Sequence, residues 1–141
     1  MVAMAANLAF DWLDGKCAVI YRFLGTTQSS SSLRPLMRSL VGQMQRLYIS
    51  WKSAPNKDLK DLILDFKDLL KKAKKDKPLV LFLDSLDQLD DTNGGRNLHW
   101  LPRVLPANVK IVMSCLPQNQ YKVFDKLKVQ FPSSKFAVFK I

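Results

Sequence analysis

Four aspartates follow the most hydrophobic run of this chain, in the stretch LVLFLDSLDQLDD at positions 79–91. Asp84 comes directly after the apolar residues 79–83, and Asp87 lies three positions further on. Carboxylates that leave a buried strand side by side repel one another and lose hydration, which is costly without a cation to compensate them. Because Mg²⁺ prefers carboxylate oxygens, the spacing indicates a magnesium site around these two residues.

The chemistry that fits such a site is phosphoryl transfer. A strand-end aspartate can hold Mg²⁺ directly or through water, the metal bridges nucleotide phosphates, and a second acid can activate the attacking water. Asp84 is then the metal residue and Asp87 the candidate base. Asp90 and Asp91 are expected at the solvated start of the next loop or helix, where acids are favoured. The structural alternative is that these aspartates only end a strand and cap a helix.

Strands and helices alternate along the chain. The apolar, β-branched runs 17–24, 79–83, 109–114 and 135–141 predict four strands, of which 79–83 reads as a central strand buried on both faces. Helical connections between strands require crossovers, so the sheet is mostly parallel. We therefore expect one three-layer α/β/α domain over residues 1–141, with ligands bound at the carboxyl ends of the strands.

Helical periodicity marks the connecting segments. A first helix ends at Asp14-Gly15, and a long one begins near Leu33 after the serine-rich loop GTTQSSSS, with Ser32 as its N-cap. A third helix starts at Leu59 and runs into KKAKKDK at 71–77, where lysines meet the negative end of the helix dipole. Pro117 is expected to open a helix that carries Tyr121, Phe124 and Leu127.

Composition sets the class of protein. The chain has 141 residues, 48% of them hydrophobic, and a net charge of +10, which points to an anionic partner or to a solvated basic surface. Cys17 and Cys115 lie in apolar runs, as reduced packing cysteines do, so we expect a reducing, cytoplasmic compartment. No run approaches the roughly 18 apolar residues of a membrane span, and we expect no membrane partner.

Three stretches, in this order, resemble the NACHT domain of STAND-class P-loop ATPases: AVIYRFLGTTQSSSSLRPLMRSL, LVLFLDSLDQL and WLPRVLPANVKIVMSCLPQ. More narrowly, they are similar to the NACHT and WD-repeat proteins. The resemblance spans nearly the whole chain and implies a fold of the P-loop NTPase type. It makes 79–91 the Walker B segment and 109–115 the sensor 1 strand.

The resemblance also implies residue roles. Asp84 takes the position that coordinates Mg²⁺, Asp87 that of the second, catalytic acid, and Ser114 with Cys115 lies where sensor 1 approaches the γ-phosphate of ATP. Thr26 and Thr27 follow another strand and should face the same edge, where capping or turn formation is an equal alternative. The implied ligands are Mg²⁺ and ATP, and the implied function is an ATP-dependent signalling or scaffold switch whose protein partners bind through repeats outside this chain.

Departures from the family pattern lower the expected turnover. Gln88 replaces the acid that usually follows the second aspartate, and no arginine follows Ser114; a transition-state arginine can be worth about 10³–10⁵ in rate. GxxxxGK[ST] does not occur, so we expect a fragment that lacks the Walker A loop and the first strand and that binds Mg-ATP weakly or not at all by itself. At most a slow ATPase is predicted when that loop is present.

Two other functions compete with this interpretation. A catalytically inert protein–protein interaction module could keep the NTPase fold without turnover, which would suit both Gln88 and the missing arginine. The basic run at 71–77 could bind nucleic acid, but no aromatic residue interleaves it and no zinc-ligand spacing surrounds His99. We therefore do not expect nucleic acid as a partner.

Overall fold

The sheet at the centre of the fold has three parallel strands. The computed structural model describes residues 16–50, 57–117 and 120–131. Within these ranges the strands are β1 (Ala18–Phe23), β2 (Leu79–Asp84) and β3 (Val109–Met113), in the order β1-β2-β3. The register aligns Ala18 with Leu79 and Leu79 with Val109. Three predicted strands are thereby confirmed, and the fourth, at 135–141, lies outside the described residues, as does the predicted first helix.

Four α-helices connect or flank these strands in the described part of the chain. They are α1 (Gln28–Ser31), α2 (Leu33–Tyr48), α3 (Leu59–Leu70) and α4 (Val123–Gln130). Two short 3-10 segments, Leu86–Gln88 and Thr92–Asn97, follow β2. The prediction that the serine-rich stretch is only a loop is wrong, because Thr27 caps the single turn of α1 within it.

Two helix boundaries differ from the sequence prediction. α3 ends at Leu70, and the lysine-rich residues 71–77 form a turn with an antiparallel bridge between Lys74 and Lys77 instead of a last helical turn. α4 begins at Val123, so Tyr121 lies before it. In both places the apolar pattern continues beyond the helix because the flanking residues also pack on the core.

The main hydrophobic core lies on one face of the sheet. The strands contribute alternate residues to it, including Ile20, Leu81 and Val109, and α2 and α3 cover them with Met44, Phe66 and other buried side chains. Burying each large apolar side chain stabilises the fold by about 1.5–3 kcal/mol. The other face carries a second, smaller cluster of Cys17, which precedes β1, with Val80 and Phe82 of β2, and Val19 and Tyr21 lie beside them.

The layer arrangement agrees with the expected α/β class. β2 is buried along its whole apolar length, as predicted for the central strand, and only Asp84 at its end is partly exposed. Among the described residues, helices contribute to the core on one face only, so one helical layer of the predicted three-layer fold is described. In the same residues, no helix combines the length and the apolar character that crossing a bilayer requires.

Candidate functional site

The predicted site residues lie at the carboxyl edge of the sheet, where all three strands end. Asp84 is the last residue of β2 and pairs with Phe23 at the end of β1. Its carbonyl oxygen accepts the N–H of Leu24 at 3.1 Å, while the N–H of Ser114 donates to the Leu83 carbonyl at 3.0 Å. The parallel register therefore brings the segments after β1, β2 and β3 together at one edge.

Asp84 and Ser114 are in direct contact at this edge. The Ser114 hydroxyl donates to Oδ1 of Asp84, and the same hydroxyl oxygen accepts the N–H of Ser85 at 2.8 Å. Both side chains are partly buried. Ser85 adopts a left-handed backbone conformation, with φ at 62°, which turns the chain sharply after the strand. No donor among the described residues contacts Oδ2 of Asp84, so one carboxylate oxygen remains available.

Asp87 is placed beside the same edge but is 4% exposed. Its Oδ1 accepts the N–H of Leu116 at 3.1 Å, and its Oδ2 accepts the side-chain amide of Gln88 at 3.0 Å. The carboxylate thereby ties the segment after β3 to the 3-10 turn after β2. In the described ranges, neither Asp84 nor Asp87 forms an ion pair with lysine or arginine.

Cys115 lies next to Ser114 and is partly buried. Burial raises the pKa of its thiol, and the negative charge of Asp87 raises that pKa further. A raised pKa keeps the sulfur protonated at neutral pH, and the thiolate is the nucleophilic form. Cys115 therefore acts as a neutral, weakly polar neighbour of the edge.

Thr26 and Thr27 form the turn after β1, and both are exposed. Thr27 caps α1: its Oγ1 accepts the N–H of Ser30 at 3.1 Å, and its own N–H donates to the Ser30 hydroxyl at 2.8 Å. Thr26 Oγ1 donates to the Phe23 carbonyl at 3.4 Å. Their hydrogen bonds are thus local, as the capping alternative predicted.

The turn after β1 also touches the acidic turn after β2. Gly25 has a φ of +78°, and a Cβ added there would lie 2.5 Å from Cβ of Gln88. Only glycine fits both the left-handed backbone and this close approach. In the sequence, Gln88 was notable only because it replaces an acid. In the structure, it bridges the β1 turn and the Asp87 carboxylate.

The two remaining aspartates have separate roles. The expectation that Asp90 is solvated is wrong: Ser32 donates to its Oδ2 at 2.5 Å, and its N–H donates to the Ser31 carbonyl at 2.7 Å. Its Oδ1 is buried and has no partner within the described ranges. Ser32 does occupy the N-cap position of α2 as predicted, although its hydroxyl makes no cap bond. Asp91 is exposed and pairs with Arg96 at 2.9 Å.

Arg96 is a residue that the sequence analysis missed. Its Nε donates to the backbone carbonyl of Asp87 at 3.4 Å, and its guanidinium lies over the Tyr121 ring at 3.4 Å from the centroid. It thus connects the acidic turn to the segment before α4. No spacing rule in the sequence pairs positions 87, 96 and 121, so only the fold brings them together.

The carboxyl edge of the sheet suits a Mg²⁺ ion that takes one carboxylate oxygen from the protein. Within the described residues, no three histidine, cysteine or acidic side chains converge as a complete metal site. Mg²⁺, however, is commonly held by one or two carboxylates while water and substrate phosphates supply the other ligands. Oδ2 of Asp84 suits that arrangement, with Ser114 orienting the carboxylate through Oδ1. Asp87 does not suit direct coordination because donors already occupy both of its oxygens.

Comparisons with known proteins identify relatives over most of the chain. It is 37% identical over 134 residues to NACHT and WD repeat domain-containing protein 2 of Homo sapiens, and 39% identical over 137 residues to the Mus musculus protein of that name; both matches cover 91% of this chain. NACHT domain- and WD repeat-containing protein 1 of Homo sapiens is 31% identical over 106 residues, or 72% of the chain.

These relatives are far longer than the chain, which spans 8% of the length of the first two. No protein-family profile matches the chain, and no solved structure matches it. The two Homo sapiens proteins nevertheless match 91% and 72% of the chain, each at more than 30% identity. The chain therefore belongs to the family of NACHT and WD repeat proteins and corresponds to one short segment of them.

Proposed function

We propose that this chain forms the metal-binding and γ-phosphate-facing part of a NACHT-type nucleotide-binding domain, which works as an ATP-dependent switch. Asp84 holds Mg²⁺ through Oδ2, and Ser114 fixes the orientation of that carboxylate. When bound, the metal neutralises phosphate charge. The fold is of the P-loop NTPase type in this proposal, with β2 as the Walker B strand and β3 as the sensor 1 strand.

The observation that carries the proposal is the contact between Ser114 and Asp84 at the carboxyl edge of a parallel sheet. A serine from one strand end fixes one oxygen of an aspartate at the next strand end, and the other oxygen has no donor in the part of the chain that the structure describes. Partners that orient a metal-binding carboxylate in this way typically change metal affinity about 10–100-fold when they are removed.

Slow or absent hydrolysis follows from the environment of Asp87. A general base must reach the proton that it abstracts, directly or through one water. Both oxygens of Asp87 accept hydrogen bonds within the protein, and its side chain is almost fully buried. We therefore propose that Asp87 positions the sensor 1 segment in the ground state, and that it acts as a base only if Gln88 releases it.

The same observation favours a second function, an interaction module that keeps the fold without turnover. Asp87, Gln88 and Leu116 form a closed hydrogen-bonded unit that needs no ligand. Such a module would depend on the shape of the edge and not on Mg²⁺. The two functions differ in whether Asp84 matters for nucleotide binding.

An exchange experiment tests the proposal. This chain replaces the matched 137-residue segment of the Mus musculus relative, and Mg-ATP binding is measured by calorimetry. We expect Mg²⁺-dependent binding that Asp84→Asn weakens more than about tenfold, because a charge-assisted contact exceeds about 1.4 kcal/mol. Ser114→Ala should weaken metal binding about 10–100-fold. Asp91→Asn, at an exposed aspartate of the same run, is the matched control.

Other results would contradict the proposed function. Mg-ATP binding that survives Asp84→Asn unchanged would refute the metal role of this residue. An exchanged protein that is folded by circular dichroism but binds no Mg-ATP would favour the interaction module. A loss of about 10²–10⁴-fold in phosphate release in Asp87→Asn, with Mg-ATP binding unchanged, would instead assign the role of general base to Asp87.

A further inference from the structure

A cluster of lysines lies at the amino edge of the sheet, opposite the candidate site. We call it the basic edge. Its members are exposed side chains from three separate segments that meet where the strands begin. They are Lys16, Lys71, Lys72, Lys74, Lys75, Lys77 and Lys110.

The fold itself gathers these residues. Ala18, Leu79 and Val109 are aligned across the sheet, so Lys16 precedes β1 at the same edge where Lys77 precedes β2 and Lys110 follows the first residue of β3. The turn at 71–77 is held in place by the bridge between Lys74 and Lys77, and by a hydrogen bond from Nδ2 of Asn108 to the Ala73 carbonyl at 3.3 Å.

Little negative charge compensates this edge. Lys71 pairs with Asp68 of α3 at 2.7 Å, and Asp76 is the one acid in the turn at 71–77. Nζ of Lys77 donates to the Leu47 carbonyl at 3.0 Å. In the described part of the chain no carboxylate pairs with the remaining five lysines. Their summed potential therefore attracts anionic surfaces.

The acids and the lysines occupy opposite ends of the strands. Asp84 and Asp87 lie at the carboxyl edge, and Asp90 and Asp91 follow shortly after them. A protein with this asymmetry orients on a negative surface with its basic edge inward. The candidate site would then face away from that surface and stay open to ligands.

Two features distinguish among anionic partners. Ile49, at the end of α2, has 50% of its surface exposed, and its neighbour Tyr48 donates to the Lys77 carbonyl at 3.3 Å, so an apolar side chain stands beside the basic edge. The cations are lysines, which act as point charges and lack the forked geometry of arginine. An apolar contact amid lysines fits a lipid headgroup layer better than nucleic acid, which rewards aromatic stacking and arginine forks.

We propose that the basic edge docks this protein on the surface of an anionic membrane, with Ile49 entering the headgroup layer. The sequence analysis predicted no membrane partner because no segment could span a bilayer, but surface docking needs no spanning segment. Clusters of four to eight basic residues bind acidic lipids with about 1 kcal/mol per residue, which is about fivefold in affinity for each lysine. The inference is independent of the proposed nucleotide site.

Vesicle co-sedimentation of the full 141-residue chain tests the proposal. Vesicles of phosphatidylcholine with about 30% phosphatidylserine provide an acidic surface, and vesicles of phosphatidylcholine alone are the neutral comparison. We expect binding to the acidic vesicles only, weakened by salt, and reduced about 100-fold in Lys72→Gln/Lys74→Gln/Lys75→Gln.

A matched variant distinguishes the effect of the basic edge on vesicle binding from the effect of net charge alone. Lys60→Gln/Lys122→Gln/Lys128→Gln removes three exposed lysines elsewhere and should weaken vesicle binding less than about fivefold. Ile49→Ser should lower the binding that remains at high salt. Equal losses in both triple variants, equal binding to neutral vesicles, or tighter binding of duplex RNA than of acidic vesicles would each overturn the proposal.

Discussion

At the residue scale, one short acidic run supplies four carboxylates with four different environments. Asp84 is oriented by the hydroxyl of Ser114, and Asp87 is buried between an amide and a backbone N–H. Asp90 accepts a serine hydroxyl, while Asp91 pairs with Arg96 on the surface. Among the described residues, Asp84 keeps a partly exposed carboxylate whose Oδ2 has no donor at the carboxyl edge, whereas the unpartnered Oδ1 of Asp90 is buried. Of the four aspartates in this run, Asp84 is thus the candidate metal ligand, and the other three make structural contacts.

The buried carboxylate of Asp87 leads to a prediction about the pKa of the neighbouring Cys115 thiol. Burial is the larger cause of the raised pKa of this thiol, and the charge of Asp87 is the smaller one. Asp87→Asn removes a negative charge that disfavours the thiolate, so the Cys115 pKa should fall part of the way toward its ordinary value. The pH dependence of iodoacetamide alkylation, measured with Cys17→Ser as background, reports this pKa directly.

The midpoint of that pH profile matters more than the rate at one pH. A loosened structure would also lower the midpoint, but by exposing the thiol it would raise the plateau rate above the midpoint, whereas a lost charge moves the midpoint and leaves that plateau nearly unchanged. Asp91→Asn should leave the midpoint in place because Asp91 is exposed and pairs with Arg96. A midpoint that stays fixed or rises in Asp87→Asn would contradict the electrostatic account of Cys115.

At the element scale, the strands were predictable and the turns were not. Apolar, β-branched runs predicted β1, β2 and β3 because burial alone determines those patterns. The end of α3 at Leu70 was missed because Ala73 continues the apolar spacing while it packs on the core outside the helix. α1 was missed because four serines read as a loop, although Thr27 and Ser30 cap each other.

In the candidate site, too, the positions of residues at strand ends were predictable from the sequence, and contacts between distant segments were not. Asp84 and Ser114 could be placed at one edge from sequence, because both follow strands and parallel strands end together. The burial of Asp87 and the bond between Ser32 and Asp90 could not be predicted, since each depends on residues far apart in the chain. Their partners carry no spacing signal, so only tertiary packing identifies them.

The contact between the β1 turn and the acidic turn leads to a prediction for Gly25. A Cβ at this position meets Cβ of Gln88 at 2.5 Å and also demands a left-handed backbone, with φ at +78°. Gly25→Ala should therefore lower the free energy of unfolding by about 1–3 kcal/mol, as measured by urea denaturation. In that background, Gln88→Gly should recover the part that comes from the steric contact.

A double-mutant cycle separates the two causes of the loss at Gly25. The strain of the left-handed backbone remains in the double variant, so the recovery should be partial, with a coupling energy of about 0.5–3 kcal/mol. Gly94→Ala is the matched control: its φ is +71°, but the nearest atom to an added Cβ is Nδ2, at the far end of the Asn97 side chain, at 3.1 Å. Zero coupling between Gly25→Ala and Gln88→Gly would show that the two turns do not touch.

At the scale of the whole molecule, one hydrophobic cluster connects all three strands with α2, α3 and α4. Trp100 belongs to it: its indole N–H donates to the Gly95 carbonyl at 3.0 Å, and its ring is tilted against Phe66 with 6.3 Å between centroids. Leu81, at the middle of the central strand, is fully buried in the same cluster. This main cluster is thus one core that the three strands share with α2, α3 and α4, beside the smaller cluster on the other face of the sheet.

A shared core predicts a single cooperative unfolding transition. With Trp12→Phe and Trp51→Phe as background, Trp100 fluorescence and far-ultraviolet circular dichroism should give the same urea midpoint, as two-state unfolding requires. Leu81→Ala should lower the free energy of unfolding by about 2–5 kcal/mol and shift both midpoints equally. Val129→Ala, at a side chain 84% exposed, should change it by less than about 0.5 kcal/mol. Two separate midpoints, or a shift in only one probe, would mean that the helices around Trp100 unfold apart from the sheet that positions Asp84.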